Sequence, residues 1–162
     1  MEWKGLMCHN QVRPRATFTM WLQLHGRLLT VDRLNKWGIR MDPKCVMCKQ
    51  VDETRDHLFG DCYFAATIWD RLLHWLKMGP QARLTWSEHY HWILHHTKGK
   101  TVQAKILKMV YAEFIHYIWL ERNARVFEKM EKTEDIIARS IVCCCNIRAL
   151  PASRIYLDNC MF

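Results

Sequence analysis

Four residues able to ligate a metal fall in the order Cys45-x2-Cys48-x8-His57-x4-Cys62. A Cys-x2-Cys pair in a tight turn brings two thiolates onto one ion, and a later His and Cys can close a tetrahedron around it. Zinc suits three sulfurs and one imidazole, with Zn–S near about 2.3 Å and Zn–N near about 2.0 Å. Four protein ligands leave no position for water or substrate. The spacing therefore predicts one structural Zn2+ held by Cys45, Cys48, His57 and Cys62, whose binding supplies on the order of 10 kcal/mol of folding energy. Three thiolates on Zn2+ carry a formal charge of −1. Lys44 and Lys49 flank the first pair, with Arg40 and Arg55 nearby. These cations can compensate the thiolates or contact phosphates, and the sequence leaves both readings open.

Other candidates offer less. His91 and His95 share a helix face at i, i+4 but have no third ligand nearby, so they read as histidines on an aromatic helix. Glu113-x-x-His116 has a di-iron-like spacing without the second copy such a site needs. Neighbours in Cys143-Cys144-Cys145 point about 100° apart on a helix and cannot grip one ion, so they read as small apolar residues. Cys8 and Cys160 are uninformative, and Asp61 reads as a loop residue beside Cys62. Trp21, Trp69 and Trp75 fall on apolar stripes and are expected in the core. No Gly-rich phosphate loop, Gly-x-Ser-x-Gly, His-Glu-x-x-His or paired polymerase carboxylates occur, so no catalytic residue is assigned.

The elements that must position these residues are helical. The chain has 162 residues, half of them apolar, and a net charge of +8 with pI about 9.2. That charge is spread, with ten cations against seven acids up to residue 62 and fourteen against nine beyond it. No apolar run reaches the roughly 20 residues needed to span a bilayer, and the N-terminus has no apolar signal region, so no membrane association is expected. Eight cysteines without an export signal suggest metal or free thiols in the reducing nucleus or cytoplasm.

Apolar positions Phe18, Trp21, Leu22 and Leu28–Leu29 predict a helix from Pro14, and Thr30 caps a second from Val31 to Trp37, stopped by Gly38. Residues 41–62 lose periodicity. A stripe of Phe64, Ile68, Leu72 and Trp75 marks the next helix, stopped at Gly79-Pro80. Thr85 and Glu88 have capping-box spacing before a short helix at 86–96, and 97–101 reads as a loop. One helix of about 43 Å is predicted from Val102 to Met130, and Thr133 caps a last one towards Leu150-Pro151. The expected fold is mainly α: a small zinc-stapled helical domain with an irregular Cys-Cys-His-Cys loop at 5–79, a connector at 80–101, a long-helix tail at 102–150 and a C-terminal end at 151–162.

The ordered residues also carry a resemblance. Pro14-Arg15-Ala16, Phe18-Thr19-Met20-Trp21-Leu22, His25-Gly26-Arg27-Leu28, Thr30-x-Asp32-Arg33-Leu34 and Trp37-Gly38-Ile39 precede the Cys45/Cys48 pair. Glu53, His57-Leu58-Phe59, Cys62 and Ile68-Trp69 follow it. This segment, about residues 5–76, resembles the zinc-binding domain at the C-terminal end of plant non-LTR (LINE-type) retrotransposon reverse transcriptases. Ile118-Trp119-x-Glu121-Arg122-Asn123-Ala124-Arg125-Val126-Phe127 is similar to the tail that follows it. Gly60 departs from the pattern, where the family more often has a polar or bulky residue.

The resemblance implies a module of a polyprotein whose endonuclease and RNA-directed DNA polymerase lie upstream. A chain carrying neither is expected to be a fragment or domesticated remnant. It implies binding to RNA or DNA, chiefly at phosphates and with little sequence preference, from Arg13, Arg15, Arg27, Arg33, Lys44 and Lys49. The alternative is a structural module, its long helix packing on the zinc domain or on a protein partner.

Overall fold

The computed structural model describes residues 3–7, 11–79 and 85–162; Cys8 lies outside them. The described residues are mainly helical, without a strand. The helices are α1 (Lys4–Met7), α2 (Pro14–Leu24), α3 (Val31–Lys36), α4 (Tyr63–Trp75), α5 (Trp86–His96), α6 (Val102–Asn123), α7 (Glu134–Arg148) and α8 (Pro151–Asp158). Two π-helical turns, His57–Asp61 and Ala124–Glu128, precede α4 and continue α6. None of the helices is long and apolar enough to cross a membrane.

α6 is buried around most of its circumference, from Ala104 through Ile106–His116 to Ile118, Glu121 and Arg122. It packs against α2, α4, α7 and α8, while α4 packs on α7. One set of buried side chains runs from Leu6 through Met20, Leu58 and Trp75 to Ile141 and Leu157.

The buried face of α2 differs from the expected one. Ala16, Thr19, Met20 and Gln23 face inward, while Phe18 is exposed and Trp21 and Leu22 are half-buried. Polar Thr19 is tolerated because α6 meets it with a partner. Its hydroxyl donates to the Arg15 carbonyl at 2.9 Å, which leaves it to accept from Nδ1 of His116, also at 2.9 Å. Trp69 and Trp75 lie in the core as expected.

Thr30 stands at the N-cap of α3, but its side chain caps nothing. Oε1 of Glu53 instead accepts from the Val31 amide at 3.0 Å. The expected stop at Gly38 is present. With Gly38 at φ +82°, its amide bonds the Asn35 carbonyl and the Ile39 amide bonds that of Leu34, each at 3.1 Å, a Schellman ending.

Thr85 and Glu88 form the capping box, and Thr101 and Thr133 cap α6 and α7. The single helix predicted to Met130 keeps α-helical form only to Asn123. Its exit is rebuilt around Glu121, which accepts from Arg125 Nε at 2.7 Å and from the Lys132 amide at 2.8 Å. Lys129 then turns the chain at φ +56°. Pro151 begins a further helix, α8, where the sequence suggested only a chain end.

Candidate metal centre

The first two candidate ligands sit in a small knuckle. The Cys45 amide bonds the Val51 carbonyl at 2.8 Å, and the Glu53 amide bonds that of Pro43 at 2.7 Å. Lys44 and Asp52 form an isolated antiparallel bridge. The Lys49 amide closes the turn onto the Cys45 carbonyl at 2.7 Å, with Lys49 itself left-handed at φ +59°. Cys45 is buried and Cys48 half-buried on the inner side of this turn.

The second pair comes from the π-helical turn His57–Asp61. Thr54 starts this segment, its hydroxyl accepting from the His57 amide at 3.0 Å. On an α-helix, residues five apart lie about 140° from one another around the axis. The Cys62 amide instead bonds the His57 carbonyl at 2.9 Å, and this wider turn brings the two side chains to one side. Leu58 and Phe59 of the same turn enter the core.

All four candidate ligand atoms lie within 4.8 Å of one another. Cys45 Sγ is 4.0 Å from Cys62 Sγ, and Cys48 Sγ is 3.3 Å from His57 Nε2. A tetrahedral ion about 2.3 Å from each sulfur would set S···S edges near about 3.8 Å. Donor set and spacing thus fit zinc, with Nε2 as the histidine's ligand atom.

Nδ1 of His57 is taken by Oδ1 of Asp61 at 2.7 Å. That contact corrects the reading of Asp61 as a mere loop residue. A carboxylate holding one ring nitrogen fixes the tautomer and turns the other towards a metal. The signal was present in the sequence as His57-x3-Asp61, one turn apart.

Proton affinities in the cluster reflect the same crowding. The Cys45 thiol is lowered to about 4, chiefly by its hydrogen bond with Cys62, while Cys62 is pushed up by that shared proton and by burial. His57 is raised to about 9 by its sulfur neighbours, Cys45 first, and by Asp61. The pocket thus favours negative sulfur beside a positive group, the balance a divalent cation would meet.

Gly60 has a local reason of its own. A Cβ there would lie 2.7 Å from the backbone nitrogen of Trp86, so the start of α5 rests directly on the π-helical turn.

The six cations proposed to meet nucleic acid are dispersed. Nε of Arg13 donates to buried Glu113 at 3.0 and 3.1 Å, engaged from within the fold, and Glu113 holds its guanidinium well above the usual range. Arg15 is exposed, as is Arg27, which lies over the Trp21 ring at 5.0 Å. Arg33 lies 5.4 Å from the exposed Trp37 ring and donates to the Gly26 carbonyl. Lys44 pairs with Asp52 at 2.9 Å and Lys49 with Glu131 at 3.7 Å. Among the other motifs, His91 and His95 are exposed, and Cys145 is buried while Cys143 is exposed.

Comparison with known proteins adds one finding. Residues 1–69 match the family described as zinc-binding in reverse transcriptase, a span holding all four clustered residues. No curated protein and no solved structure matches the chain.

Proposed function

We propose that this chain is a zinc-stapled nucleic-acid-binding module, of the kind carried by reverse transcriptases of plant non-LTR retrotransposons, without polymerase chemistry of its own. The observation that carries the reading is the closure of Cys45, Cys48, His57 and Cys62 into one cluster, inside the segment that matches zinc-binding in reverse transcriptase. Four protein ligands leave a zinc ion no open position, so its role is structural. When bound, it supplies folding energy by joining the knuckle to the π-helical turn. Asp61 holds the His57 ring, and the buried Leu58 and Phe59 fix that turn in the core.

The net charge of +8 supports binding to a polyanion. Arg15, Arg27 and Arg33, with Lys44 and Lys49 at the knuckle, are the proposed phosphate contacts. Arg13 contributes less, since Glu113 holds it. Such contacts give weak sequence preference and a steep salt dependence. Titrating the full chain with short RNA and DNA at two salt concentrations tests this. Micromolar or tighter binding at low salt that weakens with added salt is expected; its absence overturns the nucleic-acid role.

A second reading, in which zinc only staples a structural or protein-interaction module, is favoured by the buried pairing of Glu53 in the loop with Arg122 on α6. Substituting Lys44, Lys49 and Arg33 together separates the two. Nucleic-acid affinity falls under the first reading, and nothing changes under the second.

A further inference from the structure

Three arginines, each lying over a tryptophan ring, meet at Gly26 between α2 and α3. Arg27 follows Gly26 in the chain and sits 5.0 Å from the Trp21 ring. Arg33 of α3 donates to the Gly26 carbonyl and sits 5.4 Å from the Trp37 ring. Arg55, ahead of the π-helical turn, sits 5.4 Å from the Trp86 ring, and a Cβ at Gly26 would lie 3.6 Å from its Nη1. Asp56 answers Arg55 at 2.6 Å, and Asp32 stands 4.0 Å from Lys36, which lines the same depression. Arg27 and Arg33 form no ion pair with a described residue. Their fields add over this surface and favour an anion there.

The rings at the two ends of this run of contacts are open to solvent. Trp37 is 61% exposed. Phe18, its ring within 11° of parallel to Trp21 with centroids 6.2 Å apart, is 60% exposed. Single exposed apolar side chains need no explanation. Here the rings are joined through guanidinium groups, Phe18 to Trp21 to Arg27 and, across Gly26, Arg33 to Trp37.

Aromatic faces interleaved with cations suit an unpaired nucleic-acid strand, whose bases stack on the rings while its phosphates meet the arginines. A duplex keeps its base faces inside its own stack, so exposed rings add little to its binding. A guanidinium lying over a ring keeps N–H groups for phosphate oxygens, and the ring holds it in place for them. We propose, resting on the nucleic-acid reading above, that this face binds a single-stranded nucleic acid. Its bases stack on Trp37 and Phe18, and its phosphates meet Arg27 and Arg33 around Gly26.

Fluorescence anisotropy of the full chain, with zinc supplied and at low salt, tests it. The probes are oligothymidylate, its duplex with oligoadenylate, and an abasic strand of equal length, which keeps the phosphates and lacks the bases. Oligothymidylate is expected to bind at least about fivefold tighter than either of the others. Trp37→Ala should weaken oligothymidylate at least about fivefold while leaving the abasic strand and the salt dependence unchanged, and Trp37→Phe should restore most of the loss. Phe18→Ala should act in the same direction and serves if Trp37→Ala does not fold. Arg27→Gln should weaken all three probes and flatten the salt dependence. The stacking assignment is overturned, with the nucleic-acid reading left standing, by an abasic strand or duplex that binds as tightly as oligothymidylate. Ring variants that leave affinity unchanged, or Arg27→Gln leaving the salt dependence unchanged, overturn it in the same way. No binding of any probe overturns both.

Discussion

Glu53 in the knuckle and Arg122 near the end of α6 are 69 residues apart and fully buried against each other. Nε and Nη2 of Arg122 donate to Glu53 Oε1 at 3.0 and 2.8 Å. The same oxygen accepts from the Val31 amide at 3.0 Å, so one carboxylate joins α3, the metal loop and α6. Removing one member of a buried pair strands the other charge, at a cost of about 3–5 kcal/mol. Arg122→Met and Glu53→Gln are each expected to lose stability on that scale in urea unfolding. Replacing both together should cost less than the sum of the two.

Asp61 should tune the metal without being a ligand. Outer partners of metal-bound histidines are commonly worth about 10- to 100-fold in affinity. Asp61→Asn is expected to lower zinc affinity on that scale, measured by competition with a chromogenic chelator, while the helical circular dichroism stays intact at saturating zinc.

The clustering of Cys45, Cys48, His57 and Cys62 was legible because the spacing of such residues is a local property of the chain. So were the capping box of α5 and the glycine stop of α3. Asp61 was missed because residues 41–62 show no helical periodicity, so the turn that sets it i, i+4 from His57 was not expected there. The inner face of α2 was misassigned for a different reason. Thr19 is buried only because His116, 97 residues away, meets it, and no periodicity within α2 can report that. Glu53 and Arg122 were both visible as ordered residues, but their pairing is a tertiary fact.

Gly60 is the one glycine whose missing side chain makes room for another element. Gly60→Ala would drive a Cβ into the backbone of Trp86, and it is expected to displace α5 and cost about 1–3 kcal/mol. Thermal unfolding reads the loss. Amide exchange should accelerate in Trp86–His96 before it does in α6.

His89 carries a pH dependence. Burial lowers it from an ordinary 6.5 to about 4, and its Nε2 has no hydrogen-bond partner among the described residues. Between those pH values the unfolded chain takes up a proton that the folded chain refuses. The associated stability is therefore full above about pH 6.5 and lost as pH falls towards 4, by about 3 kcal/mol. His89→Leu should flatten this part of the stability profile relative to the parent chain. An unchanged profile would show that His89 keeps its ordinary proton affinity in the fold.

Metal content tests the central claim most directly. Native mass spectrometry of the full chain, alone and as Cys45→Ser, should find one zinc ion per parent chain and none, or a readily chelated one, in the variant, together with loss of cooperative unfolding. A folded parent chain that takes up no zinc when supplied with it, or a Cys45→Ser chain that keeps one tightly bound, would contradict the account.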